Sequence, residues 1–237
     1  MAAKYEPAFD GLRAVAIAAV MGFHFRPGVI TGGSLGVDIF FPLSGWLITT
    51  VLLHEAGRSG AIDYRTFLSR RIGRLMPPLL VMLAAYGLLA PVFIPSAAAW
   101  RWSDIAWSAT YLTNIKETFW PRGSPLNHTW FLGLQVQFYL VWPAVVLALR
   151  PLGRDRAAVV LLGLWALLSV GRLIWNQTVG GPGGYYLTPW HATGLVLGAA
   201  LAFKPVKAPG WAGWVALALL LLLLVLGQRL GRRRRHA

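Results

Sequence analysis

FDGLRAVAIAAVMGFHF at 9–25 and GVDIFFPLSGWLITTVLL at 36–53 are the two apolar segments that decide the class of fold. Each is close to the lower limit of about 17 residues that an α-helix needs to cross a bilayer. Apolar residues make up 57% of the chain and charged residues 13%, whereas a soluble domain has about 25% charged residues. Together with the mean hydropathy of +0.58, these segments predict membrane-spanning helices.

Further apolar runs repeat this pattern along the chain. The other predicted spans are 79–95, 129–149, 157–175, 187–203 and 209–228. The segment SDIAWSATYLTNI at 103–115 is apolar but interrupted by Ser, Thr and Asn, which leaves open a short span, a re-entrant segment or an interfacial helix. The predicted fold class is all-α, a polytopic helical membrane protein with about seven or eight transmembrane helices in a single domain, 1–237.

The positive charge of the chain lies between the apolar runs. Lys and Arg number 22 against 8 Asp and Glu, which gives a net charge of +14. A nucleic-acid binder would carry this charge on a soluble face, so we expect no nucleic-acid partner. Basic loops instead mark the cytoplasmic side, which places the stretch 54–77 and the N-terminus there. Within that stretch FLSRRIGRL predicts an amphipathic surface helix, with Pro77 and Pro78 opening the third span.

The topology of the second half depends on whether 103–115 crosses. If it does not, the basic clusters at 150–156 and 204–207 lie inside and the terminal RRRR at 232–235 lies outside. If it does cross, all three assignments are reversed. We prefer the first topology, because two basic clusters outweigh one. The first apolar run has no small-residue cleavage site, so we interpret it as a retained span.

Two residues in the first span are unusual for a purely structural membrane helix. Arg13 and His24 are eleven positions apart, which at about 100° and 1.5 Å per residue puts them on one helical face, about 16 Å apart. Ionisable groups in a span are costly and usually face a protein or water-filled interior. The alternative is that both residues sit at the span ends and extend to the interface. His24 is the stronger functional candidate, because imidazole acts as a base near neutral pH.

Asp38 and Ser44 lie in the second span. They are six positions apart, so they face different sides of a helix and do not form a dyad. Asp38 is a candidate to orient a histidine on a neighbouring helix, and the alternative is that it caps the helix N-terminus. Ser44, followed by Gly45, could serve only to allow close helix packing.

Arg71 and Arg74 form a third candidate site. They are i and i+3 neighbours on one helical face, and paired guanidinium groups suit phosphate or pyrophosphate. The alternative is ordinary cytoplasmic charge that contacts lipid headgroups.

The segment NHTWFLGLQVQFYLVWP at 127–143 supplies the remaining candidates. His128 and Trp130 are predicted at the membrane interface, and Gln135 and Gln137 lie deeper, where amides usually hydrogen-bond to other helices. The absence of cysteine excludes disulfides, cysteine nucleophiles and thiolate metal sites. The five histidines show no metal-ligand spacing, so no metal site is predicted.

Four segments in this order resemble the acyltransferase 3 family, which includes O-acetylases of bacterial surface polysaccharides. They are FDGLRAVAIAAVMGFH, GGSLGVDIFFPLSGWLI, FLSRRIGRLMPPLL and HTWFLGLQVQFYLVWP, and together they cover most of 9–143. The resemblance implies acyl-CoA, in particular acetyl-CoA, as co-substrate on the cytoplasmic side, with no permanently bound cofactor. It also implies a multi-pass protein of the plasma (inner) membrane, in contact with lipids, that acylates a hydroxyl of a carbohydrate or lipid-linked glycan.

The resemblance also assigns roles to individual residues. Arg13 and His24 match the family's arginine–ten residues–histidine motif, with His24 implied as base or acyl relay. Arg71 and Arg74 match its arginine–two residues–arginine motif and would hold the CoA phosphates. Asp38 is grouped with the catalytic residues. The supporting residues are Ser44, His128, Trp130 and Gln135.

Two departures from the family pattern matter. Gln135 and Val136 occupy two positions that are usually acidic, and the part after residue 143 is shorter than the family pattern. These departures keep open a truncated or degenerate relative that binds substrate without turnover. Intramembrane charge keeps open a transporter of a lipid-linked or acidic solute. The acyltransferase hypothesis is preferred, because transport does not explain the arginine pair.

Overall fold

The computed structural model describes residues 7–25, 32–33 and 35–233, with side chains as far as Val225. The two segments that decide the fold form helices α1 (Pro7–Phe25) and α2 (Leu35–Ser59). At 25 residues, α2 is clearly longer than the short second span expected from the sequence. The Gly- and Pro-rich loop predicted at 27–33 lies outside the described residues, apart from the turn at Gly32 and Gly33.

Helix α3 (Tyr64–Phe93) passes through Pro77 and Pro78 without a break. The prediction of a separate surface helix, followed by a span that opens at these prolines, is therefore wrong. A proline in a helix removes one backbone N–H donor, but membrane helices tolerate this where neighbouring groups satisfy the freed carbonyls. The arginine-rich turns are thus the first part of a single 30-residue helix.

The start of α3 is fixed by an N-cap. The carboxylate of Asp63 accepts hydrogen bonds from the backbone N–H and the hydroxyl of Thr66, at 3.0 and 2.6 Å. These bonds favour the charged form, so the pKa of Asp63 lies below its ordinary value, with the bond from the Thr66 hydroxyl as the largest cause. The cap sets where the arginine-bearing face of α3 begins.

The stretch that follows α3 forms short helices. α4 (Arg101–Ala109) and α5 (Thr113–Phe119) have nine and seven residues, and at 1.5 Å per residue neither reaches across a core of about 30 Å. Tyr111 between them has a φ of 59°, a left-handed value that interrupts the helix. Among the described residues, no single helix crosses at 103–115, in agreement with the preferred topology.

The next two long helices match the sequence predictions. α6 (Trp130–Leu149) and α7 (Arg154–Thr178) cover the spans predicted at 129–149 and 157–175. The turn between them ends at Gly153, whose φ of 77° suits a residue without a Cβ.

The span predicted at 187–203 is wrong as a continuous helix. It is divided between α9 (Thr188–His191) and the eleven-residue α10 (Thr193–Phe203), and the short helix α8 (Gly183–Tyr186) precedes it. Leu187 is extended, with φ −65° and ψ 131°, and this ends α8. The last helix is α11 (Gly210–Arg233), which covers the predicted span 209–228 except for its first residue.

Five helical stretches in the described part of the chain are long and apolar enough to cross a membrane. They are Pro7–Phe25, Leu35–Ser59, Tyr64–Phe93, Asn127–Leu152 and Arg154–Thr178. The apolar stretches Thr193–Phe203 and Gly210–Val225 are shorter. The all-α, polytopic fold class is confirmed.

The chain packs as two compact units. The first holds the described residues of Met1–Val51 and Gly194–Ala237, and the second is Leu52–Thr193. The single domain over 1–237 stays a prediction.

Glycine allows close helix packing in the first unit. A Cβ at Gly45 on α2 would lie 2.0 Å from the carbonyl oxygen of Leu195 on α10, and a Cβ at Gly198 would lie 2.0 Å from that of Pro42. No side chain fits at such distances, so the two backbones approach through a glycine from each helix. Small residues at interfaces are the usual means by which membrane helices pack.

The core of the second unit is formed where the C-terminal half of α3 meets α4 and the start of α6. It consists of seven buried hydrophobic residues: Leu79, Leu83, Tyr86, Ala90, Tyr111, Leu126 and Val136. In the first turn of α3, the hydroxyl of Tyr64 donates to the carbonyl of Leu140 in the middle of α6. α3 and α6 are therefore antiparallel neighbours, and the short helices α4 and α5 connect them at one end.

Candidate functional site

The first helix carries both residues that the sequence singles out. Arg13 and His24 lie on the continuous helix α1, so the predicted separation of about 16 Å along its axis holds. The guanidinium of Arg13 donates to Asp10 at 2.8 Å, with 35% and 48% of the two side chains exposed. The charge of Arg13 is therefore partly compensated by a neighbour one turn earlier.

His24 is exposed in the last turn of α1, and its ring is fixed by a backbone contact. Its Nδ1 lies 2.8 Å from the carbonyl oxygen of Val20. Because a carbonyl can only accept, Nδ1 must carry the hydrogen, so a neutral ring has its lone pair on Nε2. This tautomer leaves Nε2 as the nitrogen that can accept a proton.

Asp38 and Ser44 both lie on α2 in the first unit. Asp38 is exposed in the first turn. The helix already begins at Leu35, so the alternative that Asp38 is the N-cap is wrong. Ser44 is half-buried beside Gly45, whose missing side chain admits the backbone of α10. The packing role considered for this pair is therefore present at Gly45.

The arginine pair lies on α3 in the second unit. Arg71 is half-buried and Arg74 is exposed. The Cζ of Arg71 is 5.8 Å from the ring centroid of Phe67, one turn earlier. The Phe67 ring in turn meets Tyr139 of α6 edge to face, with centroids 6.1 Å apart. The pair thus sits where α3 packs on the middle of α6.

Gln135 belongs to the same neighbourhood. Its amide nitrogen donates to the hydroxyl oxygen of Tyr139 at 2.6 Å. The ring of Tyr139 also meets that of Phe67, on which Arg71 is stacked. The structure therefore brings together the arginine pair and the amide that replaces an acidic residue of the family pattern, with Tyr139 between them, and sequence reasoning did not single out Tyr139.

His128 and Trp130, both predicted at the interface, differ in burial. His128 is exposed, and its Nδ1 lies 2.9 Å from the carbonyl of Pro125. Trp130 is only 6% exposed, so it is packed inside the protein, and its position at the membrane interface stays a prediction. Its ring packs between aromatic side chains of the following helices, with centroids 4.9, 5.6 and 4.8 Å from Tyr185, Tyr186 and His191. Trp130 supports packing of α6 on α8 and α9.

A buried ion cluster in α4 and α5 was missed by the sequence reasoning. The Nζ of Lys116 lies 3.0 Å from Asp104 and 2.9 Å from Glu117. All three residues are at most 6% exposed. Charged residues inside an otherwise apolar stretch are the pattern that identifies such a cluster, but the segment delimited as 103–115 ends one residue before Lys116.

A network of amides and hydroxyls was also missed. The amide groups of Asn114 and Gln137 bond to each other, with nitrogen-to-oxygen distances of 3.0 and 3.4 Å. Thr188 accepts from Asn114 at 2.9 Å and donates to Gln137. The network joins α5, α6 and α9, so Gln137 fulfils the interhelical role expected of it.

The candidate residues divide between the two units. Arg13, His24, Asp38 and Ser44 belong to the first unit. The second unit contains Arg71, Arg74, His128, Trp130 and Gln135. Among the residues that the structure describes, no group of three or more His, Asp or Glu is arranged to hold a metal ion.

Comparison with known proteins gives a consistent result. A family model described as an acyltransferase domain matches residues 6–232. The chain is 34% identical over 215 residues to a peptidoglycan O-acetyltransferase of Listeria monocytogenes, and the match covers 84% of this chain and 34% of the relative. It is 32% identical over 213 residues to an O-acetyltransferase of Staphylococcus aureus strain NCTC 8325, covering 84% of this chain and 35% of that protein.

The chain spans about a third of the length of the curated relatives that it matches. No solved structure matches it. The family model nevertheless covers nearly the whole chain, including all four segments on which the sequence resemblance rests. The chain is a membrane protein that belongs to the acyltransferase 3 family.

Proposed function

We propose that the chain is an O-acyltransferase of the plasma membrane. It transfers an acyl group, in the simplest case acetyl, from acyl-CoA to a hydroxyl of a carbohydrate or lipid-linked glycan. The names of the similar proteins support O-acetyl transfer, and one of them names peptidoglycan. The reaction converts the thioester of acyl-CoA into an ester of the acceptor. The acceptor oxygen forms a bond to the acyl carbon, and the carbon–sulfur bond breaks. The acceptor proton passes through a base to the departing sulfur.

The observation that carries the proposal is the tautomer of His24. Its Nδ1–H is held by the carbonyl of Val20, so Nε2 is free to take the proton from the acceptor hydroxyl as a general base. A side chain that served only as packing would not need an exposed, oriented ring near the end of an apolar helix. Arg13 has a supporting role as the second ionisable group on the same face of α1.

The donor is proposed to bind through the arginine pair. Arg71 and Arg74 lie on one face of α3, where Arg71 is stacked on the ring of Phe67. Two guanidinium groups on one face match the phosphates of CoA better than a single lysine would. Under the positive-inside rule, this basic end of α3 faces the cytoplasm, where acyl-CoA is found.

The test of the base is acetyl transfer from radiolabelled acetyl-CoA in membrane vesicles. His24→Ala is expected to lower the rate by about 10²-fold or more, which is the usual contribution of a general base. The matched control is His54→Ala, another histidine in an apolar helix, which should leave the rate close to that of the wild type. An unchanged rate in His24→Ala would show that the assigned mechanism is wrong.

The test of the donor site is the KM for acetyl-CoA. Arg71→Gln and Arg74→Gln should each raise it about ten- to a hundredfold, because each removes a charge-assisted hydrogen bond. Arg70→Gln removes a charge one position away on a different face of α3 and should have little effect. Equal effects of all three variants would indicate that these arginines only contact lipid headgroups and do not form a specific site for acyl-CoA.

The alternatives predict different results for the wild-type protein. A relative without turnover would bind acetyl-CoA but give no labelled product, and Gln135 in a usually acidic position favours this alternative. A transporter would move solute into liposomes in the absence of any acyl donor.

A further inference from the structure

The segment between α3 and α6 contains two cavities that the proposed transfer steps do not use. The larger has a volume of about 350 Å³, within the range of about 300–1,000 Å³ typical of small-molecule sites. The smaller has a volume of about 180 Å³. Trp100 and Asp104 are among the residues that line the larger cavity, Trp107, Lys116 and Trp120 are among those that line the smaller, and Arg122 lines both.

Arg122 is the cation that these cavities offer to a ligand. Its Cζ lies 4.2 Å from the ring centroid of Trp100, so the guanidinium is stacked on an aromatic face. Within the described part of the chain, its N–H groups take part in no hydrogen bond or ion pair. A stacked, planar guanidinium with free donors suits a carboxylate, which it can bind through two parallel hydrogen bonds.

Lys116 has a different role. Its single positive charge is already paired with the two carboxylates of Asp104 and Glu117, and all three side chains are buried. The cluster ties α4 to α5 and so fixes the walls of the cavities. Arg122 is therefore left as the binding cation, while Lys116 positions the site.

The aromatic walls suit a sugar ring. Trp107 and Trp120 have ring centroids 6.1 Å apart and line the smaller cavity, and Trp100 lines the larger. A pyranose presents C–H groups on its face and hydroxyls at its edge, which matches the apolar face and polar edge of indole. Tryptophan is also common at bilayer interfaces as a lipid anchor, and the experiment must separate these two roles.

The cavities lie at the end of the second unit opposite to its basic turn. At the basic end, Arg150 donates to the carbonyl of Gly60 at 3.0 Å, near the cap of α3. Since the positive-inside rule places that turn in the cytoplasm, the cavities face the outside, where a cell-surface glycan would be reached.

We propose that the cavities around Arg122 bind the acceptor as an anionic saccharide. Arg122 pairs with a carboxylate of the sugar, and Trp100, Trp107 and Trp120 pack against its ring. The description of this ligand as the acceptor rests on the proposed O-acyltransferase function; the binding site itself rests on the geometry around Arg122.

The test is equilibrium dialysis of labelled sugars against the full chain in nanodiscs, without any acyl donor. The probes are N-acetylmuramic acid and N-acetylglucosamine, which differ by a lactyl ether that carries the carboxylate. The wild type should bind N-acetylmuramic acid more tightly. Arg122→Gln should weaken that binding about ten- to a hundredfold, as expected for a lost charge-assisted pair, and leave N-acetylglucosamine unchanged.

Matched variants separate ligand binding from membrane anchoring and from a general loss of charge. Trp100→Leu should weaken binding of both sugars, whereas Trp102→Leu, which replaces an exposed ring outside both cavities, should weaken neither. Arg101→Gln removes a neighbouring charge outside the cavities and should leave binding unchanged. The proposal is overturned if Arg122→Gln binds N-acetylmuramic acid like the wild type, or if both tryptophan variants act alike.

Failure of this inference can be distinguished from failure of the proposed function. If the sugars bind as expected but no acetyl group is transferred, the acyltransferase function fails and the saccharide site stands. If transfer proceeds and Arg122→Gln leaves the KM for an anionic acceptor unchanged, the saccharide site fails and the acyltransferase function stands.

Discussion

Replacement of Lys116 by methionine would leave two buried carboxylates without a cation. Lys116 is 3% exposed, and its Nζ lies within 3.0 Å of an oxygen of both Asp104 and Glu117. Methionine fills a similar volume, so the change removes the charge with little change in packing. The hydroxyl of Tyr86, 3.4 Å from Asp104, cannot replace a full positive charge.

The expected cost follows from the burial of the partners. Breaking a buried ion pair costs about 3–5 kcal/mol, mostly because an uncompensated charge stays buried. Here two carboxylates, 6% and 2% exposed, lose the same partner, so we expect a loss toward the upper end of that range. For a chain of this size, about 2–4 °C per kcal/mol gives a fall in melting temperature of roughly 6–20 °C.

The assay is thermal unfolding of the purified protein in detergent, with Lys207→Met as control because Lys207 is exposed. The control should stay within about 0.5 kcal/mol of the wild type. A triple variant that combines Lys116→Met with Asp104→Asn and Glu117→Gln should recover much of the loss, because no net charge then stays buried. A single variant within about 1 kcal/mol of the wild type would refute the role of this cluster as a buried structural ion pair.

Three further predictions concern packing, capping and the amide at the usually acidic position. Gly45→Ala should destabilise the protein by about 1–3 kcal/mol, because the new Cβ would meet the carbonyl of Leu195 at 2.0 Å; a melting temperature equal to that of the wild type would contradict the close packing. The folded-state pKa of Asp63 is lowered, so its stabilisation is present above its ordinary pKa of about 4 and is lost as the pH falls through the lowered value. The difference in melting temperature between the wild type and Asp63→Ala should therefore be present at pH 7 and shrink below about pH 4, and a constant difference would argue against the bonds from Thr66. Gln135→Glu should change the free energy of unfolding by less than about 1.5 kcal/mol, because the neighbouring tyrosine hydroxyl can become the donor; a larger loss in thermal unfolding would show that the amide is needed as donor.

The long apolar runs were predictable because a bilayer imposes a length and a composition on each span. The spans at 129–149 and 157–175 match helices to within a few residues. The failures occur where local sequence rules compete with the membrane environment. Pro77 and Pro78 look like a helix start in water, yet α3 continues through them. The segment 187–203 is apolar throughout its second half, yet the helix is interrupted at Ala192, between α9 and α10.

The candidate site, like the fold, could be predicted from the sequence only in part. Helical spacing correctly placed Arg13 and His24 on one helix and Arg71 and Arg74 on one turn of another. Spacing could not reveal the contact of Gln135 with Tyr139, or the bond that sets the tautomer of His24. Those depend on side-chain direction and helix packing, which no single-sequence pattern encodes.

Charge compensation separates structural from ligand-binding cations in this chain. Arg13 is unusual by position, but Asp10 supplies a carboxylate at 2.8 Å. Lys116 is buried and paired with two carboxylates, so its loss should lower the stability of the fold. The loss of an exposed cation should not lower stability in this way. Arg122 is exposed, stacked and without an acidic partner among the described residues, so its loss should spare stability and weaken binding of an anionic sugar. Opposite outcomes for Lys116→Met and Arg122→Gln in the two assays would establish that one cation builds the cavity and the other binds its ligand.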